Sequence, residues 1–301
     1  MIDMRESLTA KLCSFARAYH SNTGKRKIYD DYLAYDMMGK EEYDEVGQLI
    51  ENDFDISAFD SRRSFDGRLV YPVLNRYITP IPLSRIAFAE TALREFVREH
   101  GECQYVICGA GMDTFAFRNE NPEIRIFELD HPDTQRYKLE RIRDLEWNIP
   151  GNVKHVPIDF SRDDMNEVLD RAGFDRKIPT FFSILGVLYY LTLPVFEQTL
   201  EKISRSSEAG NRVVFDFPDE KTFSREYARR AYDLAKITDK LGEPMQHGFT
   251  VREIRQALAE TGFKVVRHET PESIQKTYFD ERTDGQTAYE NIHFILAEKA
   301  D

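Results

Sequence analysis

The sequence predicts a doubly wound α/β domain on a seven-stranded sheet, and three observations predict it. From Gln104 onward, strand-like apolar runs alternate with stretches of helix length. The first run, Tyr105–Cys108, leads into a glycine turn, Gly109-Ala110-Gly111. Asp130 then closes the second run, Arg125–Leu129. A tight glycine turn after one strand and an acid ending the next is how an open parallel sheet grips a nucleoside. The turn lets backbone approach the ligand, and the acid accepts hydrogen bonds from ribose hydroxyls.

The bulk numbers set the frame. A chain of 301 residues, 41% hydrophobic and 31% charged, suits one enlarged α/β domain with a cap. A formal net charge of −12 argues against nucleic acid as a partner, because phosphate binding needs a basic face. The three cysteines, Cys13, Cys103 and Cys108, make no disulfide framework and lack metal-ligand spacing, so no metal site is expected. Met1–Lys11 carries charges of both signs and no apolar block, so a cytoplasmic protein without a signal peptide is expected. Pro179–Phe196 holds no charge, yet its prolines (Pro179, Pro194) and Gly186 describe a buried strand, a loop and a helix start rather than a membrane span.

Taken in order, residues 1–80 predict a helical cap. Leu8, Leu12, Phe15, Ala16 and Tyr19 follow helical spacing, and Glu51–Tyr71 shows no clear period. Residues 81–301 form the core. Pro80-Ile81-Pro82 opens a helix, since proline suits a first turn, and Leu83, Ile86, Leu93, Phe96 and Val97 form its apolar stripe. Arg85 in that first turn is either a surface residue or a clamp for a ligand carboxylate, which a guanidinium fork suits. Strands are predicted at Tyr105–Cys108, Arg125–Leu129, Val153–Ile158, Thr180–Leu185, Arg212–Phe217, Lys264–His268 and His293–Glu298. Helices are predicted at Asp133–Arg143, Asp163–Ala172 and Val195–Arg205. Residues 219–250 interrupt the alternation and predict a helical lid over the site, through Phe223, Tyr227, Tyr232, Leu234 and Ile237. The last strand follows the sixth without an obvious long helix, which points to an antiparallel final pairing.

Four motifs in order, GAGMDTFAFR, FELDHPDTQRYK, PIDFSRDD and PTFFSILGVLYYLT, resemble the leucine carboxyl methyltransferase and polyketide O-methyltransferase family over roughly residues 20–300. The resemblance implies a class I Rossmann-like methyltransferase sheet, in which the antiparallel last strand is usual, and S-adenosylmethionine as cofactor. It implies that Gly109, Ala110 and Gly111 lie under the cofactor and that Asp130, rather than Glu128, takes the ribose hydroxyls. Asp159 with Phe160 would hold the adenine. Arg85 would hold the methionine carboxylate, a role also open to Lys25. The family commonly has a glutamate where this chain has Leu185, so contact there falls to backbone. Tyr190 matches the motif's tyrosine and would position the acceptor, while Tyr189 is equally suited to the core.

Methyl transfer from a sulfonium is an in-line displacement that needs alignment more than a protein nucleophile. The sequence leaves open whether the acceptor, a small organic molecule, offers a carboxylate or a hydroxyl. A carboxylate needs no base; a phenol wants one, and His247 and His293 are candidates that structural roles explain equally well. A nicotinamide-dependent oxidoreductase would use a similar turn, but Thr114 stands where its third glycine belongs. A non-catalytic protein that keeps the cofactor pocket is the other alternative. The sequence does not fix the oligomeric state.

Overall fold

The computed structural model describes residues 8–23, 26–53, 73–206, 208–240 and 242–300. Lys25 and most of Glu51–Tyr71 lie outside them. Three helices come first: α1 (Leu8–Thr23), α2 (Ala34–Met38) and α3 (Lys40–Asp53). A π-helical turn, Leu74–Ile78, precedes α4 (Pro80–His100). The alternating part follows as β1 (Cys103–Cys108), α5 (Phe115–Arg118), β2 (Ile124–Asp130), α6 (Pro132–Asp144), β3 (Val153–Pro157), α7 (Met165–Arg171), β4 (Thr180–Ile184) and α8 (Leu193–Arg205). Then come β5 (Arg212–Pro218), α9 (Arg229–Lys240), α10 (Val251–Glu260), β6 (Phe263–Glu269), α11 (Pro271–Ile274) and β7 (Ile292–Lys299).

The strands form one sheet in the order β3-β2-β1-β4-β5-β7-β6. The first five pair in parallel, and β7 runs antiparallel between β5 and β6. Period-two alternation divides the core. Tyr105 and Ile107 face α4, whose Phe88, Ala92, Leu93 and Phe96 share their cluster. Val106 and Cys108 face the other way, towards Leu169 of α7, Phe196 and Leu200 of α8 and Leu258 of α10. Each large apolar side chain so buried contributes about 1.5–3 kcal/mol, and both faces of the sheet are covered. The uncharged stretch at 179–196 is divided among β4, a 3-10 turn at Leu188–Tyr190 and the start of α8. Among the described residues no helix is long and apolar enough to cross a membrane.

The order reverses between β1 and β4. The strands all run parallel here, but the chain adds β2 and β3 on one side and β4 and β5 on the other, which opens a crevice at the carboxyl ends of the strands. The first three helices enclose a smaller core of their own, with Leu12, Phe15, Ile50 and Leu74 at its centre. A buried polar network joins this cap to the sheet. Asp31 pairs with Arg17 of α1 at 2.5 Å and with Arg118 of α5 at 3.3 Å, and Arg118 also meets Glu90 of α4 at 2.8 Å. Two buried arginines balance two buried carboxylates, so none of the four is left as an uncompensated charge.

Candidate functional site

The crevice holds a cavity of about 380 Å³. Its floor is the exit of β1. Gly109 and Ala110 donate to the carbonyl of Leu129 at 2.9 and 3.1 Å, which ties this turn to β2. Gly111 has φ +48°, and a Cβ built there would meet nothing within 4 Å, so it would project into open space. A glycine here accommodates the left-handed backbone and leaves the peptide plane bare. Asp130, at the end of β2, accepts the Gly111 N–H and, at 2.7 Å, that of His131. Burial raises the Asp130 carboxyl above its ordinary value, against the pull of those two backbone amides. Each carboxylate oxygen still has a lone pair to spare.

The opposite wall is the exit of β4, where Leu185 and Gly186 border the cavity. An acid from the neighbouring strand organises it. Asp216 of β5, fully buried, accepts the Gly186 N–H at 2.7 Å, the Tyr189 hydroxyl at 2.8 Å and Nη1 of Arg85 at 3.3 Å. The Arg85 guanidinium lies so close over Gly186 (φ +73°) that a Cβ there would stand 2.6 Å from it. Arg85 borders the cavity with its Nε buried and without a hydrogen-bond partner. Burial, and then the Asp216 carboxylate, push the Tyr189 phenol well above its ordinary value.

The roof comes from the cap, from α9 and from the segment after it. Thr9 and Cys13 of α1, Leu234 and Thr238 of α9, and Met245 border the cavity, as does Tyr190. The Tyr190 hydroxyl lies 3.1 Å from Thr9 Oγ1, and Thr9 donates to Glu243. The same loop is fastened to the wall by the Gln246 N–H on the Tyr189 carbonyl at 2.8 Å.

Arg85, Gly109, Ala110, Gly111, Asp130, Leu185 and Tyr190 are therefore brought to one cavity. Asp159 and Phe160 are not. Asp159 turns back on its own chain to accept the Ser161 N–H at 3.0 Å and hydroxyl at 2.6 Å, and Phe160 is 40% exposed. Short acids after a strand readily satisfy local donors in this way. Glu128 lies fully buried against Lys138 at 2.6 Å, away from the cavity. His247 packs on Phe249, while His293 hydrogen-bonds His268 at 2.9 Å and stacks on Phe217; neither histidine borders the cavity. Of the lid aromatics, Phe223 and Tyr227 are exposed. Asp216 was missed by the sequence reading, yet an acid inside the apolar run Val-Val-Phe-Asp-Phe is itself a signal, because such an acid stays buried only with partners.

Sheet order, antiparallel last strand and glycine turn at the switch point together define the Rossmann-like methyltransferase fold. The chain belongs to the leucine carboxyl methyltransferase family, which it matches over residues 10–204. A Bacillus subtilis (strain 168) relative, bearing the name of an S-adenosyl-L-methionine-dependent methyltransferase (YktD), is 33% identical over 97% of this chain and 98% of its own. A Mycobacterium bovis (strain BCG / Pasteur 1173P2) protein similarly named is 33% identical, over 48% of this chain and 50% of its own. Among solved structures, a DUF574 family protein from Streptomyces avermitilis superposes with a TM-score of 0.57 at 14% identity, covering 94% of this chain and 96% of that one. A Thermobifida fusca protein titled a methyltransferase gives 0.57 at 16% identity, over 79% and 90%. At such identities the structures speak for the fold alone.

Proposed function

We propose that this protein transfers a methyl group from S-adenosylmethionine to an oxygen of a small organic acceptor. The observation that carries the proposal is the pairing of the bare Gly111 turn with the Asp130 carboxylate inside one cavity at the switch point. The group fits the residues present. Gly109–Gly111 offers backbone with no side chain in the way, and Asp130 has lone pairs for the ribose hydroxyls. The orphaned Nε of Arg85 suits the methionine carboxylate, and the family's glutamate is missing at Leu185. The buried charge beside that wall belongs instead to Asp216, already neutralised by Arg85.

The bound cofactor supplies a methyl on a positively charged sulfur. This chain's residues have the tasks of holding, aligning and drying the site. Ile78, Ile81, Leu234 and Met245 give the remainder of the cavity an apolar lining, which favours a small organic molecule over a charged polymer and excludes water. Positioning of this kind supplies up to ~7–11 kcal/mol in well-oriented systems.

Titration calorimetry and labelled-methyl transfer test the proposal. Asp130→Ala is expected to weaken S-adenosylmethionine binding more than about tenfold, roughly 1.4 kcal/mol, with an unchanged circular dichroism spectrum. Unchanged affinity in that variant removes Asp130 from the site. Cofactor binding without transfer to any acceptor on a broad metabolite panel would make this a binding protein instead.

A further inference from the structure

The turn under the cavity gets little stiffness from the elements next to it. After Gly109–Gly111 the chain reverses once, with the Asp113 N–H on the Ala110 carbonyl at 2.9 Å, and then forms a helix of only four residues, α5. A helix of one turn is not stable alone in water, because its nucleus costs more than it returns. Besides Asp130, the side chains that hold this segment from outside belong to the cap. Arg17 of α1 donates from Nη2 to the Met112 carbonyl at 2.9 Å and to Ser14 Oγ at 3.1 Å. Asp31, just ahead of α2, accepts the Thr114 hydroxyl on Oδ1 and Arg17 Nη1 on Oδ2. Thr114 Oγ1 also accepts Nε of Arg118 at 2.9 Å. Asp31 is 0% exposed, whereas its neighbour Asp30 lies on the surface with Lys27.

One carboxylate thus grips both ends of Met112–Thr114, the first through Arg17 and the second directly. Met112 and Asp113 border the cavity, while Asp31 and Thr114 stand behind it and do not. Resting on the methyl-transfer reading above, we propose that Asp31 is a positioning residue for the cofactor: it fixes the turn that presents Gly111 beside Asp130. The cap is then part of the cofactor site and not only a roof over the acceptor. The grip uses both carboxylate oxygens as acceptors. An amide in that place keeps one acceptor and turns N–H donors towards a guanidinium or a hydroxyl that is itself donating. Arg17 then loses the anion that aims it at Met112, or Thr114 loses its acceptor, and the turn is released at one end.

The test is titration calorimetry of S-adenosylhomocysteine on the full chain. The native protein is measured first; no binding there would overturn the methyl-transfer reading itself, and the positioning role with it. Asp31→Asn is expected to weaken binding more than about tenfold. Because that change also leaves two buried arginines short of an anion, a second pair of variants keeps every charge. Thr114→Val preserves the shape and loses the hydroxyl. It should weaken binding at least about fivefold, the lower end of ordinary coupling between sites, with an unchanged circular dichroism spectrum. Thr114→Ser restores the hydroxyl and should bind within about twofold of the native chain. A purely structural role would lower the unfolding midpoint and leave the affinity of the folded protein alone. The proposal is overturned if the native chain binds and either Asp31→Asn or Thr114→Val binds as tightly, or if Thr114→Ser binds as weakly as Thr114→Val. Should Asp31→Asn fail to fold, the Thr114 pair decides by itself.

Discussion

Asp216 holds three things on one carboxylate: a guanidinium, a phenol and the N–H of a left-handed glycine. It fixes the wall of the cavity without supplying the lining. Removing it strands the Arg85 charge, whose side chain is only 11% exposed, and breaking a buried pair from one side costs about 3–5 kcal/mol. Asp216→Ala is therefore expected to lower the unfolding free energy by that amount in urea titration. The double variant Arg85→Met with Asp216→Leu should recover most of it, since no lone charge remains. Equal losses in the single and double variants would show that the pair is not what matters there. At this scale the sequence was half legible. Gly111 and Asp130 sit at fixed offsets from strand ends, so spacing alone locates them. Arg85 and Asp216 lie 131 positions apart, and Thr9 and Glu243 lie 234 apart. No local pattern encodes such meetings; only the topology makes them.

Elements were more legible than their contacts. All seven strands lie within two residues of the positions that apolar runs predict. Inner strands such as β1 and β4 are buried along their whole length and are mainly apolar, whereas the edge strands β3 and β6 mix buried with exposed positions. Of the helices in that half, α6, α7 and α8 lie within two residues of the predicted bounds, whereas α5, α10 and α11 were not predicted. The π-helical turns at Leu74–Ile78 and Gln275–Phe279 were not predicted either, since wide turns have no sequence period of their own. The start of α10 illustrates how local chemistry sets a boundary. Thr250 accepts the Glu253 N–H at 3.1 Å while the Glu253 carboxylate accepts the Thr250 N–H at 2.7 Å, a reciprocal capping box. Ile254, Ala257 and Leu258 of that helix are buried under β6 and β7, so fraying would open the core. Thr250→Ala should cost about 1 kcal/mol, within 0.5–2, read as a lower urea midpoint with an unchanged slope. No shift in midpoint would mean that packing alone sets this helix end.

At the scale of the whole molecule, the helical cap is fastened to the last third of the chain along a seam of hydrogen bonds. Tyr289 donates to the Tyr77 carbonyl at 2.7 Å, Arg282 to that of Arg26 at 2.8 Å and Arg230 to that of Arg76 at 3.0 Å. His20 of α1 lies inside this seam, 1% exposed. Its Nε2 accepts the Ile28 N–H at 2.9 Å, and its Nδ1 faces Gln286 at 3.5 Å. Burial, then the positive charges of Arg282 and Lys27, lower its pKa to about 4, against the weaker opposing pull of Asp284 and Asp30. The sign of the consequence follows from linkage. The unfolded chain takes up a proton at this residue near pH 6.5 while the folded chain refuses it until about pH 4. The stabilisation is complete above 6.5 and is lost as pH falls through that window. With a pKa unit equal to 1.36 kcal/mol, the loss at pH 5 is about 2 kcal/mol. His20→Gln can accept the same N–H and does not titrate. Urea titrations of both proteins at pH 7.5 and pH 5 should show the native chain losing about 2 kcal/mol more than the variant. Parallel losses would mean that His20 is free to charge in the folded state, and that the seam between cap and core is open enough to admit water.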